Sequence, residues 1–379
     1  MEQLPDNSSD LIIPERYFLI IDNKGNRKFA VTNMKHISLS KKNINLLFFN
    51  NKHLNTFWDI TDNNNYIQIT EKEFTSENYL EDENIEYTNT KIISSSNKEI
   101  YQSESSQKLS DNEIKQLKES ISNKDDLIKT IITNNTSMEK RTILSQNKII
   151  KKKQQKYKHL IWLTPTSLYN IIETFFMLEK QSINTLRMDT VSSMLVNSNF
   201  LPECHTMIYD DTNNILTHAY AMRTQFTSKV YHVCKENKIS NKNMNIFNFT
   251  GRQKAIISYV DYDVLVNKNN FWYEMYNKKF KEYFTNLVIC VRDESEIIKI
   301  FMEMYCYLKY SGNIVIFAKD IEILVAVDKF ILENKMGIDT KIIETVTREY
   351  QVLPLRTHPM MNHKGFSGYV LVSFKTCSE

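Results

Sequence analysis

Between Thr206 and Asn334 the chain alternates short apolar runs with amphipathic stretches of helical period. No other feature limits the possible folds as strongly. Strands are expected at Thr206–Tyr209, Lys229–Cys234, Leu287–Val291 and Ile314–Ala318. Helices are expected over Gln253–Tyr259, Phe271–Phe284, Glu294–Lys309 and Glu322–Asn334. Strand and helix in turn make a mostly parallel sheet, because parallel neighbours need a crossover and a helix supplies it. Two further apolar runs, Thr340–Val352 and Ser367–Phe374, read as an antiparallel pair that closes this sheet. The fold class expected for the second half is therefore α/β and Rossmann-like.

The first half reads differently. Short runs at Arg16–Asp22, Lys28–Thr32, Ile44–Asn50, Thr56–Ile60 and Tyr66–Thr70 are separated by Asn-rich turns. Asn23-Lys24-Gly25-Asn26 is a hairpin signal with a central glycine. Residues 1–70 are thus expected to form a small β-barrel-like domain. Residues 71–108 are rich in Glu, Ser and Asn and read as an acidic, partly disordered linker. Residues 109–158 read as a helical, basic connector. It opens with a capping box, Ser110 to Glu113, and a staple of Leu109 on Ile114. Residues 159–379 form the Rossmann-like domain, with its first helix capped by Thr164-Pro165.

Composition excludes several classes. No run of about 18 apolar residues occurs, so no membrane partner is expected. The five cysteines are scattered, which argues against a zinc site or a disulfide framework and for a reducing compartment. His358 and His363 have no cysteine or acid at metal spacing, so no metal is expected. The net charge is only +3, from 48 basic and 45 acidic residues, so any polyanion signal must be local.

A Rossmann-type domain binds its cofactor on a glycine-rich turn after a strand, where backbone N–H groups approach the ligand. The corresponding turn here reads Asp210-Asp211-Thr212-Asn213-Asn214, and no glycine occurs between Thr206 and Thr250. Asparagine tolerates left-handed angles, so the turn can close. Its side chains fill the space glycine would leave. A plain strand–turn–helix joint is expected, with no catalytic and no cofactor-binding residue in this chain. Glu236 is the one acid placed to hold a ribose, and Lys235 stands beside it. Asp261-Tyr262-Asp263 and Arg292-Asp293 lie near strand ends but read as turn and capping residues.

One segment is strongly basic. Residues 141–158 contain Arg141, Lys148, Lys151, Lys152, Lys153, Lys156 and Lys158 and no acid, with Lys140 just before. On a helix Lys148, Lys152 and Lys156 share one face. That face suits a polyanion; the alternatives are a solvated helix face and a nuclear import signal. The stretch 351–371 is the densest in special residues, with Pro354, Pro359, Gly365 and Gly368 around Arg356, His358 and Lys364. It reads either as a phosphate-binding connection or as a structural hairpin with exposed bases.

Three blocks carry a family resemblance. They are Asn134 to Arg141-Thr142 and on through Tyr157, Leu186-Arg187-Met188-Asp189-Thr190 to Leu195, and Tyr350 to Tyr369 with Pro354, Thr357-His358-Pro359 and Gly368. In these the chain resembles the non-catalytic, RNA-binding subunits of eukaryotic tRNA adenine-58 N1-methyltransferases. The resemblance implies an N-terminal β-barrel domain and a methyltransferase-type Rossmann domain that binds no S-adenosylmethionine. It implies a catalytic partner subunit that holds that cofactor, in a heterotetramer with two copies of each. It implies tRNA bound across both chains, and a nuclear location. The candidate tRNA-binding residues are Lys140, Arg141, Lys148, Lys151, Lys152, Lys153, Lys156, Lys158, Arg356, His358 and Lys364. The family's turn has two glycines where this chain has Asn213-Asn214. Two other readings stand beside this one: an active S-adenosylmethionine-dependent RNA methyltransferase, and a scaffold subunit that does not touch RNA.

Overall fold

A computed structural model describes residues 10–61, 65–75, 107–121, 124–138, 143–198, 204–235, 245–352, 357–361 and 364–377. The chain divides into two compact units, residues 1–165 and 166–379.

The first unit is built on a five-stranded antiparallel sheet. Its strands are β1 (Tyr17–Asp22), β2 (Arg27–Val31), β5 (Thr56–Ile60), β6 (Tyr66–Ile69) and β7 (Leu160–Pro165), in the order β2-β1-β7-β5-β6. A separate hairpin joins β3 (His36–Leu39) to β4 (Lys42–Asn45). Phe18, Ile20, Ile161 and Leu163 of the sheet share one core with Ile37, Leu39 and Ile44 of the hairpin. The expected turn at Asn23–Asn26 forms: Gly25 takes φ +85°, and Asp22 accepts from the backbone N–H of Lys24 and Asn26. On the other face Phe57 stacks on Trp162 and meets Phe74 of the short helix α1 (Glu71–Thr75). The start of the expected linker is thus helical, and residues 76–106 lie outside the described residues. Three more helices follow: α2 (Asp111–Ser120), α3 (Lys124–Thr133) and α4 (Ile143–Tyr157). The capping box at Ser110–Glu113 is present.

Two expectations are corrected at β7. The strand lies between β1 and β5, so residues 160–165 belong to the first unit and the division falls after Pro165, not before 159. Thr164-Pro165 is the end of a strand, not a helix cap; Ser167 caps the helix that follows. Leu160, Ile161 and Leu163 are buried, Ile161 and Leu163 are paired on both edges, and a residue before proline is biased to extended angles.

The second unit holds a seven-stranded sheet of β8 (Thr206–Asp210), β9 (Val230–Cys234), β10 (Ile257–Asp261), β11 (Phe284–Cys290), β12 (Leu308–Ala318), β13 (Gly337–Glu344) and β16 (Tyr369–Lys375), in the order β10-β9-β8-β11-β12-β16-β13. Strands β8 to β12 run parallel, while β16 lies antiparallel between β12 and β13. The expected mostly parallel sheet with an antiparallel closing pair is therefore the observed one. Its helices are α5 (Leu168–Leu178), α6 (Met188–Val196), α7 (Ile215–Arg223), α8 (Gly251–Lys254), α9 (Tyr262–Val266), α10 (Tyr273–Phe280), α11 (Ile297–Tyr305) and α12 (Ile321–Glu333). Met207 and Tyr209 of β8 pack with Tyr262, Phe301 and Leu324 from α9, α11 and α12, while Ile208 points to the opposite face and is equally buried. Burial on both faces is why these strands read as continuous apolar runs.

Other expectations differ. The expected strand Ile44–Asn50 is the end of β4 followed by a 3-10 turn over Leu46–Phe49, and the expected helices Phe271–Phe284 and Glu294–Lys309 end at Phe280 and Tyr305, each followed by a strand. The expected helix over Gln253–Tyr259 is the short α8 followed by strand β10, whose Ile257 and Val260 pair with β9 and are buried. The expected strand Thr340–Val352 stops at Glu344. Beyond it β14 (Tyr350–Gln351) pairs with β15 (His358–Pro359) as a short ribbon of its own.

Candidate functional site

In an open α/β sheet, ligands bind beyond the carboxyl ends of the strands where the strand order reverses. Here that point lies between β8 and β11, and the turn after β8 occupies it. Asn213 and Asn214 both take left-handed angles, φ 55° and 68°, in place of glycine. Asn214 is buried, and its carbonyl accepts from the backbone N–H of His218 at 3.0 Å in the first turn of α7.

Asp210 holds this turn from inside. It is 3% exposed. One of its carboxyl oxygens accepts from the Thr212 N–H at 2.7 Å and from the Thr212 hydroxyl; the other accepts from the Thr217 N–H at 2.9 Å and the Thr217 hydroxyl at 2.7 Å. The Thr217 hydroxyl also meets His232 Nδ1 at 2.7 Å. Burial pushes the His232 and His218 imidazoles below their ordinary pKa, so both are neutral near pH 7.

Arg292, just past β11, braces the mouth of the crevice. Its N–H donates to Asp211 Oδ2 at 3.2 Å and its Nε to the Asp211 carbonyl at 3.0 Å. Its Nη2 reaches the Ser182 carbonyl at 3.1 Å and Asn213 Oδ1 at 3.4 Å. The Asp211 N–H donates to the Cys290 carbonyl. The crevice edge is thus laced by protein groups. Asp261 and Asp293 act as the expected caps, accepting from the Asp263 and Ser295 N–H groups. Lys235 pairs with Glu296 at 2.6 Å, and Glu236 lies outside the described residues.

The basic stretch forms helix α4, which contains no acid. Lys148, Lys151, Lys152 and Lys156 are exposed, and Gln154 on the opposite side is buried. Among the described residues none of these four lies within salt-bridge distance of a carboxylate. Lys156 and Lys118 lie over the Tyr157 ring, at 5.5 and 5.2 Å. Lys153 is half-buried, and burial followed by the nearby Lys156 lowers its pKa. Lys158 does not join the free face: it pairs with Asp125 at 2.6 Å. Lys140 and Arg141 lie outside the described residues.

Of the C-terminal candidates, His358 and Lys364 are among the described residues. His358 is exposed on β15, and Arg356 lies outside the described residues. Lys364 is held between Glu173 at 2.9 Å and Glu349 at 3.1 Å. Burial opposes its charge, and the two carboxylates outweigh that and keep its pKa above the ordinary value. It is therefore committed within the fold instead of being left for a phosphate.

Two of the sequence blocks that carry the resemblance meet at Arg187, which is 5% exposed. Its guanidinium bonds Asp189 in bidentate fashion, at 2.8 and 2.6 Å, and donates to the carbonyls of Gly365 and Thr345, both at 2.8 Å. Ser367 Oγ accepts from the Arg187 N–H and lies 2.8 Å from Thr190 Oγ1. Among the described residues no group of His, Cys, Asp and Glu could hold a metal ion, and no helix is long and apolar enough to cross a membrane.

The model of the Gcd10p family matches residues 12–293. A Dictyostelium discoideum protein named tRNA (adenine(58)-N(1))-methyltransferase non-catalytic subunit is 24% identical, covering 96% of this chain and 79% of its own. A Debaryomyces hansenii protein of the same name is 22% identical, over 70% of this chain and 63% of its own. Among solved structures, a tRNA (m1A58) methyltransferase from Aquifex aeolicus superimposes with a TM-score of 0.52 at 10% identity, over 97% of this chain and all of that one. A SAM-dependent O-methyltransferase from Thermotoga maritima gives 0.59 at 10% identity, over 100% and 99% of the two chains. At that identity the likeness is one of fold: a methyltransferase-type Rossmann sheet.

Proposed function

The chain belongs to the Gcd10p family, and we propose that it is the non-catalytic subunit of a tRNA (adenine-58-N1)-methyltransferase, holding tRNA for a catalytic partner chain. The observation that carries the non-catalytic part is the filled switch point. Asn213 and Asn214 put side chains where a cofactor loop needs bare backbone, and Arg292 ties that turn to Ser182 and Asp211. S-adenosylmethionine then belongs to the partner, which supplies the methyl group and the catalytic residues.

The partner needs a surface. Val346, Tyr350, Val352 and Met361, on and beside the β14–β15 ribbon, are 57–85% exposed. Apolar side chains gathered on a surface mark association sites, and the ribbon suits the catalytic subunit. An enzyme that acts on the N1 edge of adenine must expose a base that RNA pairing hides, so a second chain that grips the RNA has a definite task.

The RNA-binding part rests on α4. Its exposed lysines form one acid-free face, and such a face binds phosphates with little sequence preference. Replacing Lys148, Lys151 and Lys152 by alanine is expected to weaken tRNA binding by the complex. It should also flatten the slope of log affinity against log salt by about 0.7–0.9 for each phosphate that the helix no longer neutralises. Alanine favours the helix, so folding should not suffer. Unchanged affinity and slope, measured at several salt concentrations, would sink this assignment and favour a scaffold role.

A further inference from the structure

The turn between α9 and α10 presents two large aromatic side chains to solvent. Phe271 is 85% exposed and Trp272 is 50% exposed. Their rings meet edge to face at 5.0 Å. They are not on a loose loop. Asp263 accepts from the side-chain amides of Asn267 and Asn270, and Asn270 in turn accepts from the Trp272 N–H at 3.0 Å. The platform is set before any ligand arrives.

The aromatic pair continues into the exposed face of α10. Phe271, Trp272, Glu274, Met275, Lys278 and Lys279 are exposed, while Phe280 is buried and Tyr273, Tyr276 and Asn277 are half-covered. One face thus runs from two rings to two ammonium groups over seven residues, about 10 Å at helical rise. Lys268 and Lys281, also exposed, flank it at either end. Protein interfaces are depleted in lysine, whereas aromatic rings beside lysines are the usual platform for an unpaired nucleic-acid strand. The rings stack on bases of any identity, and the ammonium groups take the phosphates.

From this we infer that Phe271 and Trp272 stack on unpaired bases of the bound RNA, with Lys278 and Lys279 on the adjoining phosphates. This is a second RNA-binding site, separate in sequence from α4, and it rests on the tRNA-binding reading above. In the complex of this chain with its catalytic partner, the double variant Phe271→Ala/Trp272→Ala should bind an unmodified tRNA transcript about tenfold more weakly. Its salt slope should match the parent's, because no charge is removed. Trp272→Phe alone should retain most of the affinity. Lys278→Ala/Lys279→Ala should instead flatten the slope. Binding of the double variant equal to that of the parent complex overturns the inference and leaves the tRNA-binding reading intact. Loss of the catalytic partner from the double variant overturns it too, by assigning the rings to a protein interface. If the parent complex itself does not bind the transcript, both fall.

Discussion

Replacing Arg187 by alanine is expected to destabilise the protein by about 3–5 kcal/mol, the largest effect of any single substitution proposed for this fold. The side chain is nearly fully buried and donates to both oxygens of Asp189 and to the carbonyls of Thr345 and Gly365. Truncation leaves all of these acceptors without their donor, which costs more than the bonds themselves contribute. Arg187→Lys should recover only part, because an ammonium cannot present the planar fork to Asp189. Denaturant unfolding of the two variants checks both statements. The same pair gives a pH signature. Partial burial works against the Asp189 charge, but the hydrogen bonds of Arg187, Thr347 and Thr345 outweigh it and hold the carboxyl at about 2, against 3.8 ordinarily. A carboxyl with a depressed folded pKa stabilises above its unfolded value. That contribution, on the order of 1 kcal/mol after solvent screening, should vanish as pH falls from about 4 to 2. It should be missing from the acid-unfolding curve of Arg187→Ala.

Asp210→Ala is the second large effect, with an expected loss of about 2–4 kcal/mol. The carboxyl is the hub of the turn after β8, accepting from the backbone and hydroxyl of both Thr212 and Thr217. None of these donors is open to water, since Thr212 and Thr217 are fully buried. Asp210→Asn should be nearly as costly, because one of the two accepting oxygens becomes a donor facing other donors. Denaturant midpoints of the pair, compared at constant slope, decide it. A loss below about 0.5 kcal/mol for both would mean that the turn is held by Arg292 alone.

The sheet was legible because its strands are buried on both faces and so leave uninterrupted apolar runs, as at Met207–Tyr209 and Ile314–Ala318. β10 was not, because an edge strand of five residues directly after a capped turn of helix has no pattern of its own. β7 looked like the entry to the second domain because its partners β1 and β5 lie far earlier in the chain. The left-handed turn at Asn213-Asn214 could be read directly, since asparagine is the residue that tolerates those angles when glycine is absent. Long-range partners could not. Arg292 lies 81 residues from Asp211, Arg187 lies 178 from Gly365, and Lys364 lies 191 from Glu173. A lysine in a loop reads as free until the fold brings a carboxylate to it. Phe271 and Trp272 carried no signal either, because an apolar pair at the start of a helix reads as core until its exposure is known.

On the proposed function, the methyl donor should bind the partner and not this chain. The most direct measurement is the number of S-adenosylmethionine molecules bound at saturation by the purified complex, from equilibrium dialysis with labelled cofactor. One cofactor for each pair of unlike chains is the predicted result, because Asn213 and Asn214 stand where a cofactor loop needs bare backbone and Arg292 bonds that turn. Two for each pair would place a working cofactor site in this chain and overturn its non-catalytic assignment.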